Sequence, residues 1–166
     1  SKRNLPWRVS KKSPKKLYYR ILSEFMLQQT QVKTVIPYFY RFIKKFRTLK
    51  ALSKSSEKQI LKLWEGLGYY RRFRNMHLAA KKIVSEYQGI FPDNYQALLE
   101  LPGIGKYTAG AIMSIAYDKP YSALDGNVVR VLSRYLGIND DMRQEKNKKK
   151  RVNWKGQKRR LSGGLK

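Results

Sequence analysis

From Leu17 to about Gly137 the apolar residues recur three and four positions apart in seven successive stretches. That period puts them on one face of an α-helix, and each such stripe must be buried against another helix. The first stretch runs from Leu17 to Leu27, with Leu17, Ile21, Leu22, Phe25 and Met26 as its apolar face and "QQTQ" as its interruption. Thr30 is the expected N-cap of a second, in which Val32, Val35, Ile36, Phe39, Phe42, Ile43 and Phe46 repeat and Pro37 predicts a kink. Ser56 and Gln59 have the spacing of a capping box that opens a third, closed by Gly66 and Gly68. Met76, Ala79, Ala80, Ile83, Val84 and Tyr87 form a fourth stripe, stopped by Gly89. Asp93 or Asn94 starts a short fifth helix to about Glu100, Lys106 to about Tyr117 forms a sixth, and Asp125 caps a seventh. No strand-hairpin signal and no βαβ period occurs, so the expected fold class is all-α.

The 166 residues, 42% hydrophobic, suffice for one domain with a core or for two small helical lobes. No apolar run approaches the roughly 18 residues needed to span a bilayer, and no signal-peptide pattern opens the chain. These features predict no membrane partner and a cytoplasmic location, nucleoid-associated if the source is bacterial. The absence of cysteine excludes disulfides, thiolate metal sites and cysteine nucleophiles. A histidine metal site or a Ser/His triad would have to rest on His77, the only histidine, whose neighbours Met76 and Leu78 suggest a packing or solvent-facing role instead. The formal charge of +26 favours an anionic partner, most often nucleic acid or an anionic membrane surface. Residues 142–166 hold 11 of the 37 Lys and Arg but one of the 11 acids, so the remaining 26 basic and 10 acidic residues make the body basic in its own right. The tail has no hydrophobic period and is expected to be disordered without a partner, as a nucleic-acid arm or simply a solvated terminus.

Three stretches carry candidate chemistry. "LPGIGKYTAGAI", residues 101–112, has two glycines two apart after Pro102. They allow a tight turn with positive φ values that leaves backbone N–H groups exposed at the start of the next helix. Such a row binds phosphate without reading sequence, although Gly-x-Gly between helices also makes plain turns. Asp125, in "ALDGNVVR", sits where a helix dipole and backbone N–H groups keep a carboxylate ionised. An ordinary N-cap, worth about 1 kcal/mol, explains it equally. Glu24 lies among Ile21, Phe25 and Met26. Held against apolar surface it would keep a proton near neutral pH; exposed, it would pair with Arg20 four residues earlier. One carboxylate able to donate a proton and another held ionised can break a glycosidic bond through an oxocarbenium-like state.

Taken together, "SEFMLQQTQVKTVIPYF", "LWEGLGYY", "RNMHLAAKKIV", "LPGIGKYTAGAI" and "ALDGNVVRVLSR" resemble the MutY-type adenine DNA glycosylases of the helix-hairpin-helix glycosylase superfamily, from about Leu5 to Asp141. The resemblance implies removal of adenine mispaired with 8-oxoguanine or guanine in duplex DNA, by a monomer. It implies that Glu24 protonates the adenine ring, that Asp125 stabilises the sugar cation or a covalent intermediate, and that Asn127 supports the site. By the same motifs Gln29 and Tyr69 enter the base stack, while Trp7, Arg8 and Leu27 line the adenine pocket. Leu101, Gly103, Gly105, Lys106 and Thr108 belong to the DNA-binding hairpin. Members that also cut the strand carry a Schiff-base lysine where this chain has Tyr107. Lys106 is one residue away, about 100° around the helix, so Tyr107 implies a glycosylase without lyase chemistry.

The chain also departs from that pattern. Family members continue into further helices and a four-cysteine motif for a 4Fe-4S cluster, and cysteine is absent here, so the expected cofactor and metal content is none. The expectation is a glycosylase domain over residues 1–141, with its central helical lobe and an incomplete second lobe, followed by the basic tail 142–166. A truncated, non-catalytic DNA-binding fragment is the alternative reading, and an endonuclease III-like glycosylase/lyase a third.

Overall fold

The computed structural model describes residues 5–9, 16–121, 126–135 and 137. Among them are eight α-helices and no strand: α1 Lys16–Leu27, α2 Val32–Lys45, α3 Leu49–Ser53, α4 Glu57–Trp64, α5 Arg71–Glu86, α6 Tyr95–Leu99, α7 Lys106–Ala116 and α8 Gly126–Tyr135. The all-α class therefore holds. Backbone contacts divide the chain into two units, residues 1–123 and 124–166, so α1 to α7 belong to the first and α8 to the second. None of the described helices is long and apolar enough to cross a membrane.

The apolar stripes fold as their spacing requires. Ile21, Leu22, Phe25 and Met26 of α1 are buried against α2, α5 and α7. Phe39 and Phe42 of α2 are fully buried, and Phe42, Trp64 and Phe73 form a run of ring contacts with centroids 6.1 Å apart. Such aromatic pairs add about 0.5–1.5 kcal/mol each beyond the area they bury. α5 packs on α1, α3 and α4 through Phe73, Met76, Ala79, Ala80 and Ile83. α7 is rich in small residues, and Ala109 to Met113 are all buried. His77 is buried as well, and desolvation pushes its pKa down.

The local stop signals were partly legible. The Ser56–Gln59 capping box is present in both directions, and Asn94, not Asp93, caps α6. Asp93 instead pairs with Lys119 at 3.3 Å. Thr30 does not cap α2, whose N-cap position is Gln31 with no side-chain bond. Thr30 belongs to the preceding turn: its N–H donates to the Leu27 carbonyl and its hydroxyl to that of Gln28. α2 runs through Pro37. α3 escaped the reading because one helical turn is too short to show a period; its start is marked only by Thr48, whose hydroxyl accepts from the Ala51 N–H. α5 also begins at Arg71, a full turn before the stripe at Met76. Asn94→Ala should lower stability by about 1 kcal/mol, because the Gln96 and Ala97 N–H groups lose their acceptor. Urea denaturation would show a lower midpoint with an unchanged slope.

Candidate active site and nucleic-acid interface

Glu24 sits in the last turn of α1, beside the face that buries Phe25 and Met26. Glu24 is largely buried rather than exposed, yet it keeps the contact to Arg20. Its side chain is 11% exposed, and Arg20 Nε lies 3.5 Å from its Oε1. Desolvation raises the Glu24 pKa, and Arg20 only partly opposes that. Arg20 Nε is itself buried and makes no hydrogen bond, so the pair is a charge contact and not a hydrogen-bonded bridge. A carboxyl in this setting retains its proton to higher pH than a solvated one, as a general acid must.

After Leu27 the chain leaves α1 by a turn in which Gln29 adopts φ 57° and is exposed. A second turn, between α4 and α5, carries Tyr69 at φ 48° and 58% exposed. The hairpin between α6 and α7 lies against the first turn: the Gln28 side-chain amide donates to the Gly103 carbonyl at 3.4 Å. Gly103 has φ 77°, and a Cβ there would stand 2.7 Å from both Asn75 Cβ and Phe25 Cε1. Gly105 differs from the expectation. It is the N-cap of α7 at φ −90° and ψ 177°, ordinary extended backbone, with open space where a Cβ would go. Helix starts expose N–H groups that have no partner within the helix, and α7 starts at this open glycine.

The remaining expected site residues divide by burial. Lys106 and Tyr107 are exposed at the start of α7, Arg8 is exposed, and Leu27 is half-buried. Leu101 and Thr108 are core residues, 2% and 5% exposed, that tie the hairpin to the helices behind it instead of facing outward. Trp7 is likewise buried, edge-on to Phe39 at 5.3 Å. Asp125 lies outside the described residues. Asn127, in the second unit, is exposed and accepts from Arg130 Nη2 at 3.2 Å. Sequence reasoning passed over Arg72, which is 6% exposed and bonded to carbonyls of both turns. A signal existed: position 72 falls on the stripe of Met76, Ala79 and Ile83, where a charge is anomalous.

The family model for HhH-GPD superfamily base excision DNA repair proteins matches residues 22–156. The chain belongs to this superfamily. Its relatives include the adenine DNA glycosylase of Buchnera aphidicola subsp. Baizongia pistaciae (strain Bp), 51% identical over 138 residues that make up 83% of this chain and 38% of that protein. The adenine DNA glycosylase of Rattus norvegicus is 47% identical over 145 residues, 84% of this chain and 28% of that one. The chain thus spans well under half the length of the relatives it matches. Among solved structures, a thermostable thymine-DNA glycosylase aligns with a TM-score of 0.73 at 31% identity, over 81% of this chain and 61% of that chain. A non-covalent endonuclease III–DNA complex aligns with a TM-score of 0.67 at 25% identity, over 73% of this chain and 56% of that chain.

Within the HhH-GPD superfamily the resemblance also brought in a 4Fe-4S cluster. This chain contains no cysteine, and no group of three metal-ligating side chains gathers among the described residues. The donor set for such a cluster is therefore not supplied by these 166 residues.

Proposed function

We propose that this chain carries the catalytic helices of an adenine-specific DNA glycosylase, which hydrolyses the N-glycosidic bond of adenine opposite 8-oxoguanine or guanine in duplex DNA. The observation that carries the reading is Glu24: a largely buried acid with a raised pKa in the last turn of α1, the helix that leads into the turn of the exposed Gln29, where Gln28 bonds the hairpin. An enzyme that reacts at a base inside a duplex must first extrude it. Gln29 and Tyr69 fill the gap left in the stack, and the hairpin with its start-of-helix N–H groups holds the backbone. Glu24 then gives its proton to the adenine ring, which turns the base into a neutral leaving group. Asp125 stays ionised and balances the positive charge that develops on the sugar, with Asn127 in support. Tyr107 supplies no amine, so no Schiff base forms and the strand is left intact. The names borne by the relatives support the choice of adenine.

Release of adenine from an A:8-oxoguanine duplex under single-turnover conditions tests the reading. Tight binding without release would favour the alternative, a DNA-binding protein without turnover, which the charge of +26 would serve by itself. Binding should be nearly blind to sequence and steeply dependent on salt, because Lys and Arg displace counterions from phosphate. Deleting residues 142–166 removes 11 of those cations and should flatten the slope of log Kd against log salt without abolishing binding. An unchanged slope would make the tail a bystander.

A further inference from the structure

The loops that present Gln29 and Tyr69 are about 40 residues apart in sequence, yet one side chain holds both. Arg72 Nη1 donates to the carbonyls of Met26 at 2.6 Å and Gln28 at 2.5 Å, with a longer contact to Phe25 at 3.4 Å. Nη2 donates to Leu67 and Gly68, each at 3.2 Å, and Nε reaches the Tyr69 carbonyl at 3.4 Å. The Tyr69 ring lies 5.1 Å from the guanidinium carbon. Among the described residues no carboxylate pairs with Arg72. A buried cation without a counter-ion is costly unless dipoles replace its water, and here the dipoles are the carbonyl of Met26 in the last turn of α1 and those of Gln28, Leu67 and Gly68 in the turns that follow α1 and α4, the Gly68 carbonyl also accepting from Trp64 Nε1 at 3.0 Å.

Two of these bonds have a specific consequence. Gln29 and Tyr69 are non-glycine residues at positive φ, a conformation that persists only where the surroundings impose it. The Gln28 carbonyl belongs to the peptide plane that enters Gln29, and the Gly68 carbonyl to the plane that enters Tyr69. Holding each plane restrains the N–Cα torsion that aims the next side chain. We propose that Arg72 is a positioning residue that holds Gln29 and Tyr69 in one shared geometry by gripping the carbonyl that precedes each. The planar, forked guanidinium is required, because it presents five donors in fixed directions while a lysine offers a compact point charge with three. This rests on the proposed role of both residues in the base stack.

The 166-residue chain and its Arg72→Lys variant test the proposal in two ways. The first needs no DNA. Amide hydrogen exchange should rise by about tenfold or more in residues 27–30 and 66–70 together in the variant, with α5 and α7 still protected. Unchanged exchange, or a rise in one loop alone, overturns the proposal. Loss of helical circular dichroism throughout the variant and in Arg72→Gln at 10 °C also overturns it, since Arg72 would then be a general core residue. The second uses a duplex with 2-aminopurine opposite 8-oxoguanine, whose fluorescence rises on extrusion. Arg72→Lys should lose most of that rise, and adenine release at saturating protein should fall by up to about 100-fold, the scale of a 1 Å misplacement. Affinity for undamaged duplex and the shape of the pH profile should not change, a combination that general loosening would not produce. Gln29→Ala and Tyr69→Ala are the controls. If they extrude normally, the stacking role fails regardless of Arg72; if they fail while Arg72→Lys extrudes normally, the positioning role alone is wrong.

Discussion

Replacing Glu24 by glutamine is expected to cut single-turnover adenine release by about 10²–10⁴-fold, the usual contribution of a positioned general acid, while DNA affinity stays near that of the parent chain. The amide keeps the shape of the side chain but delivers no proton. The stability of the same variant separates this from a structural role. Burial raises the Glu24 pKa above the ordinary carboxylate value. The folded chain therefore keeps a proton at pH values where the unfolded chain has lost it. A folded state that binds more protons loses stability as pH rises, from the unfolded carboxylate pKa up through the folded one. Glu24→Gln removes that titration. It should melt with the parent below this window and above the parent beyond it. Adenine release by the parent should decline through the same upper limit, because the protonated form is the donor. Undiminished release by Glu24→Gln, or a variant that melts lower at every pH, would remove Glu24 from the mechanism. In the proposed role, Asp125→Asn should likewise lose most activity, since the amide keeps the shape of the side chain but carries no charge to balance the sugar cation.

The two hairpin glycines should part company sharply. Gly103→Val combines a β-branched residue at φ 77° with contacts of 2.7 Å to Asn75 and Phe25. Backbone strain and overpacking together cost on the order of 3 kcal/mol or more, a large share of the stability of a typical domain. Thermal melting should register it before any DNA is added. Gly105→Val should melt like the parent, because φ −90° suits valine and no atom lies within 4 Å of the added Cβ. It should nevertheless weaken DNA binding, since the new methyl groups stand at the open start of α7, where phosphate would approach. Parent-like affinity in Gly105→Val would mean that the hairpin does not hold the backbone there. Parent-like melting of Gly103→Val would mean that the hairpin apex is looser than its packing indicates.

Seven of the eight described helices were legible because a period of 3.6 residues needs only the order of apolar and polar side chains. The all-α class and the hairpin at residues 101–105 followed from the same local information. α3 was not legible: its five residues are too few to show a period, and unlike the equally short α6 it has no Asp or Asn at its start to mark it. Thr30 was misassigned because its backbone serves the turn that presents Gln29, a demand set by the elements packed around that turn. The residue types at the candidate site were visible, but their states were not. Whether Glu24 was buried or paired with Arg20 depended on how tightly α1 closes on its neighbours, and it turned out to be both. Burial of Leu101, Thr108 and Trp7, and the different backbones of Gly103 and Gly105, were likewise decided by packing across the core. Arg72 shows the division most clearly. Its position on an apolar stripe marked it as odd, but its acceptors come from two loops far apart in sequence. The order of residues determines which helices form and where they stop, because those choices are local. Which carbonyls meet one guanidinium is a matter of three-dimensional closure, and no one-dimensional period encodes it.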